Sequence, residues 1–191
     1  MRILILSLLI CASLFGSELE NAKKGCDSGF AKSCSFLGSV YDYGMGVKKD
    51  TTKAVKFYKK ACEGGDDFGC FNLGIYGAKY FKGEGVKQDI SKAIKLLKQA
   101  CDGGSAKSCT GLGFLYDNGK GVKQNYFKAV KFYKKACEGG DGGGCSNLGK
   151  MYYNGTGVKQ DNFKAVNFFK KACHNGNALG CFNLASTYSY A

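Results

Sequence analysis

The stretch Lys53-Ala-Val-Lys-Phe-Tyr-Lys-Lys-Ala-Cys62 returns unchanged at residues 128–137 and with two changes at residues 164–173. Its apolar residues follow the spacing of one helix face, and its lysines fall on the opposite face. Each copy ends in a cysteine, and cysteine pairs recur after 36, 39, 36 and 36 residues. A repeat of this length predicts an array of helical hairpins, in which each hairpin packs against its neighbours.

A second helical pattern lies between these stretches. Cys34, Leu37, Gly38 and Tyr41 form one apolar stripe, and the same spacing returns in later repeats. We name this helix A and the lysine-rich one helix B. Helix A is predicted to end at a Gly-x-Gly-Val loop, because glycine takes the left-handed conformation of a helix end without strain. Helix B is predicted to begin after a capping side chain, at Asp50, Asp89, Asn125 or Asp161.

Small and aromatic residues of helix A indicate how the helices pack. One glycine in each helix A is expected to leave room for a large Tyr or Phe of the neighbouring helix: Gly38, Gly74, Gly113 and Gly149. Four tyrosines share the apolar stripe and are predicted to be core residues: Tyr41, Tyr116, Tyr152 and Tyr188. The second repeat has three additional residues within Ile75–Phe81. This ring-rich segment, with Tyr76 and Tyr80, is expected either to bulge the array or to form a ligand wall.

The cysteine spacing predicts a disulfide framework. Cys11 apart, ten cysteines form five pairs, and the members of each pair lie eight residues apart across the turn from helix B to helix A. Pairing within each turn is therefore predicted, as Cys26–Cys34, Cys62–Cys70, Cys101–Cys109, Cys137–Cys145 and Cys173–Cys181. A zinc site is not expected, because this spacing differs from that of zinc hooks and His174 is the only histidine. No metal or cofactor is predicted.

The first residues indicate export. Residues 1–17 combine a basic start, an apolar run and small residues at its end, which predicts a signal peptide. Cys11 follows Ile10 instead of a small residue, so lipidation is not expected. Residues 18–191 are predicted to form the repeat domain, about four repeats and a C-terminal half-repeat, located in the periplasm or outside the cell. No other stretch is apolar enough for stable membrane insertion.

The net charge of +13 comes from lysines spread over nearly every repeat. Spread charge of this kind predicts a solvated exterior, and weak affinity for anionic polymers such as surface glycans is the alternative. Nucleic acid is not an expected partner. Nucleotide binding is not predicted either, since the Gly-x-Gly loops lack the Gly-Lys-Ser/Thr of a phosphate loop.

The motifs Leu-Gly-x-x-Tyr, Gly-x-Gly-Val, Asp-x-x-Lys-Ala and Phe-Tyr-Lys-Lys-Ala-Cys resemble the Sel1-like repeat, a relative of the tetratricopeptide repeat. With its paired cysteines, the chain is similar to the Helicobacter cysteine-rich proteins. The resemblance implies an all-α fold, a right-handed α/α superhelix of disulfide-linked helix pairs. It also implies penicillin binding or weak β-lactamase activity. No S-x-x-K motif supports that activity, so whether the protein is an enzyme stays open and its catalytic residues are unknown.

The resemblance to tetratricopeptide proteins implies a ligand groove on the concave face of the A helices, with an Asn before the Leu-Gly pair. Phe36 and Gly111 occupy this position in two repeats. Alternatively, the asparagines bridge neighbouring helices. The expected function is capture of a peptide, host protein or cell-wall fragment, and β-lactams are the alternative ligands. The protein is expected to be a monomer. The predicted ligand-binding residues are Asn72, Asn147, Lys150 and Asn183.

Overall fold

The computed structural model describes residues 16–189, with the side chains of residues 188 and 189 left out. All regular secondary structure in this part of the chain is helical, as predicted. Helices with odd numbers are B helices and those with even numbers are A helices. The helices are α1 (16–27), α2 (Ala31–Tyr43), α3 (Thr51–Glu63), α4 (Asp67–Lys82), α5 (Ile90–Asp102), α6 (Ala106–Asn118), α7 (Tyr126–Glu138), α8 (Gly142–Asn154), α9 (Asn162–His174) and α10 (Ala178–Ser189).

The chain divides into two compact units, Met1–Leu73 and Gly74–Ala191, and the division falls within α4. In the N-terminal unit, α2 packs against α3. In the C-terminal unit, α6 packs against α7 and α8 against α9, and each such pair contacts the next one. Helices α2, α6 and α8 therefore each form a hairpin with the B helix that follows.

The core of each unit forms around its cysteine pairs. In the N-terminal unit, Cys26 and Cys34 pack with Leu37 and Ala61. The C-terminal unit contains two further clusters, one around Leu112 and one around Leu148. Burying these apolar side chains stabilises the fold by about 25 cal/mol for each Å² removed from water. The Leu148 cluster combines residues of three successive helices, including Ala129 of α7 and Ala172 of α9, so stacking of neighbouring repeats contributes to the stability.

The helix ends confirm the predicted capping. At each predicted cap, a side-chain oxygen accepts a hydrogen bond at 2.8–2.9 Å from the backbone N–H three residues on, which satisfies one unpaired amide of the first turn. Gly44, Gly119 and Gly155 end helices α2, α6 and α8 in the left-handed conformation. Local sequence therefore sets the hairpin ends. The caps are Asp50, Asp89, Asn125 and Asp161.

Three of the four predicted close approaches of glycine to an aromatic ring are confirmed. A Cβ atom added at Gly38 or Gly149 would lie 2.6 Å from the ring of Tyr58 or Phe169, and one at Gly113 would lie 2.5 Å from the ring of Tyr133.

The prediction for Gly74 is wrong. A Cβ at Gly74 would contact the Ser108 hydroxyl. Gly77 instead faces Leu97, the residue equivalent to the aromatic residues that face Gly38, Gly113 and Gly149. The three additional residues lengthen α4 to 16 residues, against 13 in α6 and α8. Three residues turn a helix by about 300°, so they shift the packing role from Gly74 to Gly77.

Three of the predicted core tyrosines are only partly buried, although Tyr116 and Tyr152 pack against a core cluster. Tyr41, Tyr116 and Tyr152 are half-buried at the margin of the core, and their rings stack on Phe57, Phe132 and Phe168 with centroids 5.5–5.6 Å apart. Tyr76 and Tyr80 of the inserted segment are buried, so these two rings do not form a ligand wall. The side chain of Tyr188 lies outside the described residues.

All five predicted cysteine pairs are within bonding distance. Their sulfur atoms are 1.95–2.04 Å apart and their Cα atoms 4.4–4.8 Å apart. Each bridge joins the last turn of a B helix to the first turn of the next A helix. Residues 1–15 of the predicted signal peptide, with Cys11, lie outside the described residues, and Gly16 and Ser17 belong to α1. Within residues 16–189, no helix has the length and apolar character that crossing a membrane requires.

Candidate functional site

One candidate surface lies on the A helices of the C-terminal unit. Helices α6, α8 and α10 are neighbours in this unit. Asn147 is half-buried on α8, and Lys150 is exposed one turn further on the same face. Asn183 holds the position of Asn147 one repeat later, on α10. Asn147 and Asn183 thus occupy matching positions on two adjacent helices, and Lys150 lies one turn from Asn147.

The amide of Asn183 is notable because its nitrogen atom is buried and has no hydrogen-bond partner among the described residues. A buried polar group without a partner costs about 1–3 kcal/mol. Asn183 therefore does not bridge neighbouring helices through Nδ2. The side chain keeps one donor that no described residue uses.

Asn72 is placed differently. It belongs to the N-terminal unit, is only 8% exposed, and donates a hydrogen bond of 2.9 Å from Nδ2 to the carbonyl of Phe68. This bond stays within α4, so Asn72 does not bridge helices by that atom. With its nitrogen bonded and its side chain buried, Asn72 contributes little surface to a ligand.

Sequence reasoning missed the exposed aromatic residues of the A helices. Phe71 and Phe182 directly precede Asn72 and Asn183, and Phe36 takes the Asn position itself. Phe114 holds the position that Lys150 has one repeat later, with Lys120 Nζ 4.9 Å from its ring centroid. Their side chains are between 38% and 67% exposed. The signal was in the sequence, as apolar residues outside the helix A stripe.

A bond between neighbouring repeats was also missed. In the first repeat the Ser35 hydroxyl donates to Asp66, and in a later one the Thr110 hydroxyl donates to Asp141 at 2.7 Å. Asn177 stands at the corresponding position in the last repeat. The matching hydroxyl, of Ser146, is buried and has no hydrogen-bond partner in the described part of the chain.

A second surface is a cleft of about 650 Å³ between α5 and α7. Its floor is apolar and includes Leu112 of α6, and its rim is rich in lysine. Two rim carboxylates are paired, Asp102 with Lys135 at 3.5 Å and Glu138 with Lys134 at 3.9 Å. Sequence reasoning assigned these lysines to a solvated face and did not identify the cleft.

Three serine hydroxyls of the described residues are hydrogen-bonded within the chain. Ser105 and Ser108 share a hydrogen bond, and the Ser186 hydroxyl donates to the carbonyl of its own helix. Burial raises the pKa of Tyr58 to about 12, and it raises that of Tyr133 as well, so both phenols stay protonated at neutral pH. Among residues 16–189, no three His, Cys, Asp or Glu side chains come together as a metal site.

The chain matches known repeat proteins in both sequence and structure. The Sel1 repeat model matches residues 31–66, 68–105, 106–141 and 143–177. A solved structure of Helicobacter pylori cysteine rich protein B is 39% identical, with a TM-score of 0.55, and the match covers 74% of this chain and 99% of that one. A protective antigen of uropathogenic Escherichia coli, described as having an SLR fold, is 34% identical with a TM-score of 0.72.

Two of these matches concern longer proteins. The match to the Escherichia coli antigen covers 90% of this chain and 36% of the antigen. Cytochrome c oxidase assembly factor 7A of Xenopus laevis is 46% identical over 50 residues, which is 26% of this chain and 22% of that protein. The repeat model, by contrast, matches well over half of this chain, and the cysteine pairs form the same cross-turn bridges in every repeat. The chain therefore belongs to the Sel1 repeat family, as a member whose helix pairs are cross-linked by disulfides.

Proposed function

We propose that this Sel1 repeat protein is exported and binds an extended peptide on the A helices of its C-terminal unit. The observation that carries the proposal is the repetition of Asn147 as Asn183 on the adjacent A helix, with the Asn183 nitrogen buried and unpaired among the described residues. Asparagine pairs with the backbone amides of an extended chain, because its side chain offers both a donor and an acceptor.

The residues around these asparagines support the same ligand class. Phe114 and Phe182 are exposed on α6 and α10, and they provide apolar contacts for side chains of a bound peptide. Lys150 adds a cation near Asn147, which favours a peptide that carries a carboxylate. Helical repeat arrays commonly bind extended segments along consecutive helices.

The disulfides support export. Five bridges in a chain of 191 residues are typical of proteins that fold in an oxidising compartment, because cytosolic thiols are kept reduced. Export is tested by expressing the chain with and without residues 1–17 in a Gram-negative bacterium, followed by fractionation and thiol alkylation. We expect oxidised protein outside the cytosol only when residues 1–17 are present. Equal fractions for both versions would contradict export by this segment.

Peptide binding is tested by panning an unbiased displayed-peptide library on the oxidised protein. The affinity of enriched peptides is then measured for wild type and for the double variant Asn147→Ala, Asn183→Ala. Each lost hydrogen bond contributes about 0.5–1.5 kcal/mol, so the double variant is expected to bind about tenfold more weakly or worse.

The matched control is the double variant Asn162→Ala, Asn167→Ala, which removes two exposed amides from helix α9 of the same unit. We expect the control to bind the peptides like the wild type. Peptide affinity that is the same in all three proteins would refute the assignment of the site to α8 and α10.

A further inference from the structure

The cleft between α5 and α7 has the floor of an apolar ligand site. Leu112 is 1% exposed beneath it, and Ile94, Tyr116 and Phe132 are half-buried around it. The rings of Tyr116 and Phe132 stack with centroids 5.6 Å apart and planes 11° apart, so they present a continuous aromatic surface. A volume of about 650 Å³ falls within the usual range for small-molecule sites, about 300–1,000 Å³.

The rim of the cleft is cationic. Five lysines and two acids contribute to its lining. Lys134 and Lys135 are paired with the two acids, and Lys128 Nζ lies 5.1 Å from the centroid of the Tyr116 ring. Lys98 of α5 and Lys131 of α7 form no ion pair among residues 16–189. Their charges are therefore uncompensated on the two sides of an apolar floor.

We propose that this cleft binds an organic anion with an apolar body, such as a medium-chain fatty acid or an aromatic carboxylate. The apolar body would rest on the floor near Phe132, and the anionic group would lie between Lys98 and Lys131. Charge complementarity favours an anion, because the same lysines would repel a cation of the same shape. The site uses none of the residues proposed for peptide binding, and neither proposal depends on the other.

The corresponding position of Lys131 one repeat later is Asn167. A gap between α7 and α9 therefore lacks one of the two lysines invoked here. This difference assigns the anion site to the α5–α7 cleft and predicts one principal site in the C-terminal unit. It also provides a natural substitution, Lys131→Asn, which removes the charge while keeping a residue that the repeat accepts.

The probe is 8-anilinonaphthalene-1-sulfonate, an aromatic anion whose fluorescence rises when it leaves water. We expect the oxidised wild-type protein to bind it and the double variant Lys98→Glu, Lys131→Glu to bind about tenfold more weakly or worse. Lys131→Asn is expected to have an intermediate affinity. The matched control is Lys123→Glu, Lys159→Glu, which makes the same change in charge at two exposed lysines outside the cleft. The control should stay within about twofold of the wild type.

Competition tests the ligand class. Decanoate is expected to displace the probe from the wild type, whereas decyltrimethylammonium, which has the same chain length and the opposite charge, is not. All altered lysines are exposed, so the variants should keep the circular dichroism spectrum and thermal midpoint of the wild type. Equal loss of probe in cleft and control variants, equal retention in both, or equal displacement by the two competitors would each overturn the proposal.

Discussion

Removal of one inner disulfide tests what holds the hairpins together. The double variant Cys101→Ala, Cys109→Ala opens a bridge with a sequence separation of 8. Closing so short a loop stabilises the folded state by about 2.5 kcal/mol on the chain-entropy account. Both sulfur sites are buried, with exposures of 0% and 1%, so their loss adds about 1 kcal/mol each for the missing packing. The expected total loss is about 4.5 kcal/mol.

The matched comparison is Cys173→Ala, Cys181→Ala. This bridge has the same sequence separation of 8, so its chain-entropy contribution is the same. Its cysteines are only half-buried, and it lies in the last hairpin, where opening releases α10 alone. We therefore expect a loss smaller than that of the inner pair by about 1 kcal/mol.

The assay is urea unfolding followed by circular dichroism at 222 nm without reductant, after alkylation has shown that the other four bridges are intact. The free energies of unfolding of the two double variants are compared with that of the wild type. A loss for the terminal pair equal to or larger than that for the inner pair would refute the packing contribution. Losses below about 1 kcal/mol in both variants would refute the loop-closure contribution as well.

Three further perturbations test packing and electrostatics. Gly113→Ala should destabilise the protein by about 1–3 kcal/mol, because its Cβ would overlap the Tyr133 ring. At Gly111 the nearest atom to an added Cβ is 3.5 Å away, so Gly111→Ala should be neutral or stabilise by up to about 1 kcal/mol. Thermal unfolding of the two variants measures the difference. Burial raises the pKa of Tyr58 from 10.0 to about 12, so its contribution to stability is present below pH 10 and is lost as the pH rises towards 12. In Tyr58→Phe, the urea midpoint of unfolding should depend less on pH over that range than it does in the wild type. An equal dependence on pH in the two proteins would contradict the raised pKa. A backbone hydrogen bond lowers the pKa of Asp161, so its contribution is present above 3.8 and lost as the pH falls below that value. Asp161→Asn should remove this acid dependence, measured by unfolding between pH 5 and pH 2.

The exceptions to the sequence predictions both arise from the way neighbouring helices pack. The prediction for Gly74 assumed that every helix A keeps the same register, and the longer α4 moves the close approach to Gly77. The prediction that Tyr41 is a core residue assumed that the whole apolar stripe is covered, yet this ring lies at the margin against Phe57. Periodicity indicates which face of a helix is apolar, but it does not indicate how much of that face the neighbouring helix covers or in which register.

The candidate sites were likewise predictable from the sequence only in part. Asn147 and Asn183 were recognised from their position before Leu-Gly, because a repeat places equivalent residues on equivalent faces. The burial of Asn72 and its bond to the carbonyl of Phe68 were not predictable, since the amide of a helical Asn can bond to its own backbone, to a neighbouring helix or to solvent. The exposed Phe114 was missed because exposure depends on what neighbouring helices leave uncovered.

The sequence by itself determined the helical hairpin, its caps, its glycine loops and the pairing of the cysteines. These features depend on contacts within one repeat of the sequence, and the chain contains that repeat several times. Only the tertiary structure decided which side chains of different helices come together: Gly77 with Leu97, Tyr116 with Phe132, and Lys98 with Lys131 around one cleft. Such juxtapositions depend on the distance and rotation between packed helices. Both quantities are set by side-chain volumes on several elements at once, so no single stretch of the chain contains them.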